Sequence, residues 1–156
     1  MKGKILLLTG LTLLFFKTQA QTVSDIDGNT YNTVTIGTQV WMKENLKTKH
    51  YLNGDSIGTT FPYSKNISSE VSPQYQWAFN GNGSGYSNVA DAGLLYTWFA
   101  ITDTRNVCPA AWHIPSKSEW ETIINYLGGG GVAGGKMKET GTTHWESPNT
   151  GADNSS

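Results

Sequence analysis

Tyr75, Trp77 and Tyr86 stand singly in a stretch rich in Gly, Ser, Asn and Pro. Rings spaced along a polar backbone suit a sugar-stacking platform, because an aromatic side chain offers a large flat apolar face. The same rings would also serve to pin a long loop onto a core, and the sequence leaves both roles open. These three are the candidate ligand-binding residues. His113 and Glu119 flank the start of a helix and could be paired as acid and base. No nucleophile sits at a motif spacing from them. Ser116 and Glu119 also form an S-x-x-E capping box, in which the Glu already has a structural task. A hydrolase would use His113 with Asp103 or Glu119, and this is the lesser alternative. No catalytic residue is assigned.

Metal and phosphate chemistry find little support. Asp25-Ile26-Asp27-Gly28-Asn29 is similar to half a calcium loop, but its Gly comes too early and the later Glu is absent. A tight hairpin turn is the favoured reading. One Cys and three scattered His do not make a spaced zinc set. The glycines of 128–135 follow a helix rather than open one, so they do not match a phosphate loop. No metal and no cofactor are expected. Lys47 and Lys49 are two charges on a solvated face, and His50 and His144 are isolated. The triplets Asn66-Ile67-Ser68, Asn82-Gly83-Ser84 and Asn154-Ser155-Ser156 fit the N-glycosylation pattern, but such triplets arise by chance in an Asn- and Ser-rich chain.

The elements that must position these groups are short. Val23 to Ile26, a turn at Asp27-Gly28-Asn29 and Thr30 to Ile36 read as a hairpin. Gly37-Thr38 makes a second turn, and Gln39 to Met42 a third strand. Residues 52–93 read as one long loop that the rings keep ordered. Leu94, Leu95, Trp98, Phe99 and Thr102 suit one helical face, although so short an apolar run also fits a buried strand. Trp112-His113-Ile114 before Pro115 reads as a short strand. Lys117 to Leu127 is a helix: Ser116 caps it, Trp120, Ile123, Ile124 and Leu127 form one stripe, and Gly128 takes the left-handed position after it. Gly128 to Gly135 reads as a flexible link. The polar end, from Ser147, supplies no closing strand, so the domain is expected to lack its last third.

Of the 156 residues, the first twenty read as a secretory signal peptide, with a basic start, an apolar run from Ile5 to Phe16 and small residues before Gln21. That run is too short to span a bilayer, which takes about 20 apolar residues. The signal holds three of the eleven Lys and Arg and none of the twelve acids, so residues 21–156 carry −4. An acidic chain with no basic cluster lacks the footprint of a nucleic-acid binder. Leu, Ile, Val and Phe make up only 23 of these 136 residues. That is a composition found in disordered chains, but the net charge is modest and all six Trp and seven Tyr are retained. Large rings then stand in for aliphatic bulk in one ordered domain, 21–156. The lone Cys108 cannot form a disulfide within the chain.

Asp27 to Tyr31, Thr33 to Met42 and Glu44-Asn45-Leu46 resemble the opening of the Fibrobacter succinogenes major paralogous domain. Leu95 to Ala100, Cys108 to Ser116, Glu119-Trp120, Leu127-Gly128-Gly129 and Gly134 to Glu139 continue the likeness in order. Ala111 departs from it, since the family usually has Gly there, and no functional consequence is expected. The block Ile114-Pro115-Ser116 to Glu119-Trp120 is also similar to one in sulfatase-modifying-factor-like domains. That likeness implies an α+β, C-type-lectin-like fold with short antiparallel strands, one or two helices and long loops. The oxidative chemistry of the sulfatase-modifying enzymes relies on a later cysteine pair, which this chain lacks. The resemblance implies a bacterial module, secreted or on the cell surface, with the periplasm as the alternative. Its expected partners are an extracellular glycan or a surface protein, bound without catalysis. A structural assembly domain without a small ligand is the second reading.

Overall fold

The computed structural model of the protein describes residues 21–59, 66–77 and 92–152. The signal-peptide segment 1–20 lies outside them, as does the middle of the aromatic stretch with Phe61, Tyr63, Phe79 and Tyr86. The first sheet is an antiparallel meander of β1 (Thr22–Ser24), β2 (Thr30–Ile36) and β3 (Gln39–Met42), as expected. Its first turn is built by Asp25. One carboxylate oxygen accepts the backbone N–H groups of Asp27 and Asn29 at 3.0 and 2.9 Å. The other accepts from the Asn29 amide at 2.8 Å and the Tyr31 hydroxyl at 2.6 Å. Gly28 takes φ +80° at this turn, and Gly37 takes φ +61° at the next.

The second sheet corrects the expectation of a single long loop over 52–93. Within it lie β4 (Gly58–Thr59) and β5 (Gln74–Trp77), and β5 is the central strand of the order β4-β5-β6. It runs parallel to β4 and antiparallel to β6 (Leu94–Tyr96). The apolar run from Leu94 is likewise divided. After β6 comes a single helical turn, α1 (Trp98–Ile101), and Thr97 is the joint between them. Its hydroxyl accepts the N–H groups of Gln74 at 3.0 Å and Ala100 at 3.3 Å, and donates to the Ser72 carbonyl at 3.0 Å. A Thr so placed must be extended, which ends the helix stripe there. The Trp112–Ile114 segment, expected as a short strand, pairs with no strand among the described residues.

α2 (Lys117–Tyr126) forms as the sequence predicts, with both halves of the Ser116/Glu119 capping box. Gly128 N–H donates to the Asn125 carbonyl at 3.1 Å and Gly129 N–H to Ile124 at 2.8 Å, closing a Schellman motif. The glycine link beyond it winds into another turn, α3 (Ala133–Lys136). Two small cores result. One joins Ile36 of β2 to Ile123, Leu127 and Ala133. The other gathers Tyr51, Ile57, Tyr75, Ala100, Val107 and Cys108. Among the described residues, short antiparallel and mixed sheets with three short helices make the fold α+β. Among the described residues no helix is long and apolar enough to cross a membrane.

Candidate functional site

A cleft of about 610 Å³ opens between the two cores. That volume falls within the range of pockets that hold small molecules. Gln21 and three segments wall it. The first is β3 and the residues after it, carrying Trp41 and Glu44. The second is 108–115, with Cys108, Trp112 and His113, and the third is the first turn of α2, with Glu119 and Trp120.

Each wall is fixed by local chemistry. Trp41 and Trp120 pack ring on ring, with centroids 4.8 Å apart and planes tilted by 49°. The β2–β3 turn seats beneath α2, where a Cβ on Gly37 would lie 3.0 Å from the Tyr126 ring. Gln39 donates to the Glu119 carbonyl at 3.3 Å. Glu44 grips Asn32 through both carboxylate oxygens, one on the backbone N–H and one on the side-chain amide, each at 2.7 Å. The 108–115 wall is shaped by two residues at positive φ, Asn106 at 57° and Ala111 at 67°. The Asn106 side chain holds that bend by accepting from Cys108 N–H at 2.9 Å.

Glu119 has two tasks. One carboxylate oxygen accepts from the Ser116 N–H and hydroxyl, both at 2.7 Å, and the other lies 2.7 Å from His113 Nε2. The Ser116 backbone bond first, then its hydroxyl and His113, hold the Glu119 carboxyl down at about 2. A carboxylate that acidic is a weak base at neutral pH. Cys108 is buried, and burial pushes its thiol up to about 11, away from the thiolate form a nucleophile needs. Asp103, the alternative acid, is engaged by Arg105 at 2.8 and 2.9 Å, and that guanidinium holds it well below the usual carboxylate range.

The residues singled out from the sequence lie elsewhere. Tyr75 is 7% exposed and sits inside the second core, so pinning is the role its position gives it. Trp77 is half-buried beside it, centroids 5.3 Å apart, with Lys49 Nζ 5.5 Å above its ring. Tyr86 lies outside the described residues. The structure brings together neither Tyr75 nor Trp77 with the cleft. Trp41, Trp112 and Trp120 were legible only as strand and helix residues. The signal was present in Trp120: it heads the α2 stripe, yet it is left 43% exposed.

Asp25 and Asp27 are turn residues. Asp27 accepts from the Thr48 hydroxyl at 3.0 Å, from Lys49 N–H at 2.5 Å, and lies 2.5 Å from His50 Nδ1. Their oxygens are taken by N–H and O–H donors of the chain. Among the described residues no group of three or more His, Cys, Asp or Glu is arranged to hold a metal ion.

No curated protein and no solved structure matches the chain. The family model of the Fibrobacter succinogenes major domain matches residues 34–156, from the second half of β2 through the cleft and α2 to the last residue of the sequence. With most of its length inside that match, the chain belongs to the Fibrobacter succinogenes major domain family.

Proposed function

We propose that this protein is a secreted or cell-surface bacterial module with a C-type-lectin-like fold that binds a glycan in the Trp41–Trp120 cleft without acting on it chemically. The observation that supports this most is the pairing of an open Trp120 face with a rim of fixed polar side chains, Glu44, His113 and Glu119. A sugar presents the complementary surface, an apolar ring face edged by hydroxyls. The acidic Glu119 and the neutral Cys108 thiol favour binding over catalysis. The test is a glycan array read with the purified protein, followed by titration of any hit against Trp fluorescence. Trp120→Ala is expected to weaken a hit at least tenfold, while Trp120→Phe keeps most of the affinity. Blank arrays, or a hit indifferent to Trp120→Ala, would overturn the reading.

A second reading, attachment to a surface protein or assembly without a small ligand, draws on a different face. Leu95, Trp98 and Phe99 are 54%, 69% and 42% exposed and flank one shallow depression. Single exposed apolar residues are ordinary, but a contiguous group marks an interaction surface. Light scattering that shows a dimer dispersed by Trp98→Ser would favour this reading.

A further inference from the structure

Resting on the glycan reading, the charge and hydrogen-bonding pattern of the cleft narrows the class of sugar. Among the described residues, two carboxylates, Glu44 and Glu119, stand on its lining, and no Lys or Arg does. The basic group there, His113, already lies 2.7 Å from Glu119. Lys117, the nearest lysine in sequence to Glu119, pairs with Glu121 at 3.5 Å. Among the described residues, an incoming carboxylate would meet two like charges on the lining and no Lys or Arg there. Like charges at short range cost several-fold in affinity, and the effect shrinks as salt screens it.

The same carboxylates welcome a hydroxyl. An ionised carboxyl accepts only, at about four lone-pair positions. Glu44 spends two of these on Asn32, which also fixes its orientation before any ligand arrives. The remaining two can accept from neighbouring hydroxyls of one sugar ring. Deeper in the walls, Gln39 Oε1 and Trp41 Nε1 are buried and have no hydrogen-bond partner. One is an acceptor and the other a donor. Neither atom is open to the cleft, so neither meets a ligand seated there and the choice of sugar rests on the two carboxylates.

We infer that the cleft takes an uncharged, hydroxyl-rich sugar ring and rejects uronates, with Glu44 and Glu119 as the residues that determine this choice. The rejection is electrostatic, and the acceptance is hydrogen bonding to oxygens held in place by the chain.

The test titrates the purified protein at pH 8 and low salt by Trp fluorescence and calorimetry. The probes are neutral hexasaccharides of glucose, xylose and mannose, and hexagalacturonate as the acidic counterpart. At least one neutral probe should bind tenfold or more tighter than hexagalacturonate. Raising NaCl to 0.5 M should shrink that ratio at least threefold, a readout that needs no variant. Glu44→Gln should shrink it too, by raising the affinity for the acidic probe. Hexagalacturonate binding as tightly as every neutral probe would overturn the inference and leave glycan binding standing. No binding by any probe, with the near-ultraviolet signature of the Trp41–Trp120 pair intact, would overturn the glycan reading itself and this inference with it.

Discussion

At the scale of single residues, Ala111 carries a conformation that its side chain opposes. It holds φ +67° on the cleft wall, a backbone region that favours Gly. A left-handed non-Gly residue costs roughly 1 kcal/mol. Ala111→Gly relieves that strain but frees the unfolded chain as well, which offsets part of the gain. The expected net change in urea unfolding is a stabilisation of about 0.5 kcal/mol. A loss of more than 1 kcal/mol would show that the methyl group packs on the wall. Glu119 makes a second residue-scale case. Its folded carboxyl, at about 2, lies below the ordinary value of 4.5. A depressed acid stabilises the fold above its unfolded value and loses that contribution as pH falls toward the folded one. Stability should therefore decline between pH 4.5 and 2, and Glu119→Gln should flatten that part of the decline. Asp27 adds to it in the same direction. Burial alone would raise its carboxyl, but the bonds from Lys49, His50 and Thr48 outweigh burial and lower it.

At the scale of elements, the sequence was readable wherever a local rule acted alone. The Ser116/Glu119 box, the Trp120-to-Leu127 stripe and Gly128 agree with one another, and α2 forms between those bounds. Thr97 shows where reading failed. Its neighbours keep a helical period, but its hydroxyl serves three backbone groups, two of them on the 72–74 segment, and such long-range use leaves no mark in a short run. Thr97→Val keeps the shape and strips those bonds, so a loss of about 2–4 kcal/mol is expected in urea unfolding. The aromatic loop failed similarly, because β5 is made by pairing with β4 and β6 across intervening residues. The cleft was legible only in pieces, since its Trp residues come from three separate segments. In the glycine link, composition alone suggests flexibility, but a helical turn forms there. Gly134 and Gly135 are adjacent in α3, yet a Cβ on Gly134 meets nothing within 4 Å, while one on Gly135 would lie 2.7 Å from the Gly151 carbonyl oxygen. Gly134→Ala should stabilise by about 0.5–1 kcal/mol through helix propensity. Gly135→Ala should destabilise, because the atom in its way is backbone. Opposite signs in a pair of thermal melts would establish that α3 is a packed turn. Equal gains from both would mean that it is a loose link.

At the scale of the molecule, the cleft exists because two small cores are held at a fixed separation. Neither is large: one rests on Ile36, Ile123, Leu127 and Ala133, the other on six residues around Tyr51 and Tyr75. Part of what joins them is a polar seam from the first hairpin to residues 47–50. Tyr31 is fully buried, and its hydroxyl donates to Asp25 at 2.6 Å while accepting from Lys47 N–H at 2.9 Å. Asp27 grips Thr48, Lys49 and His50 from the adjacent turn. Tyr96 ties the same stretch to the second sheet by donating to the Thr48 carbonyl at 2.7 Å. Tyr31→Phe keeps the ring and removes the oxygen, leaving Lys47 N–H and a lone pair of Asp25 unpaired in a buried place. Stranded polar groups of this kind cost about 1–3 kcal/mol each. A fall of about 2–4 kcal/mol is therefore expected. A fold whose cores are coupled through this seam should unfold in one transition, with Trp fluorescence and far-ultraviolet dichroism coinciding. With Trp77, Trp98, Trp112 and Trp145 changed to Phe so that fluorescence follows the Trp41–Trp120 pair, the two probes should separate in Tyr31→Phe, because dichroism still reports both sheets. Coincident curves at the lowered midpoint would place the coupling in the apolar contacts across the cleft floor rather than in the seam.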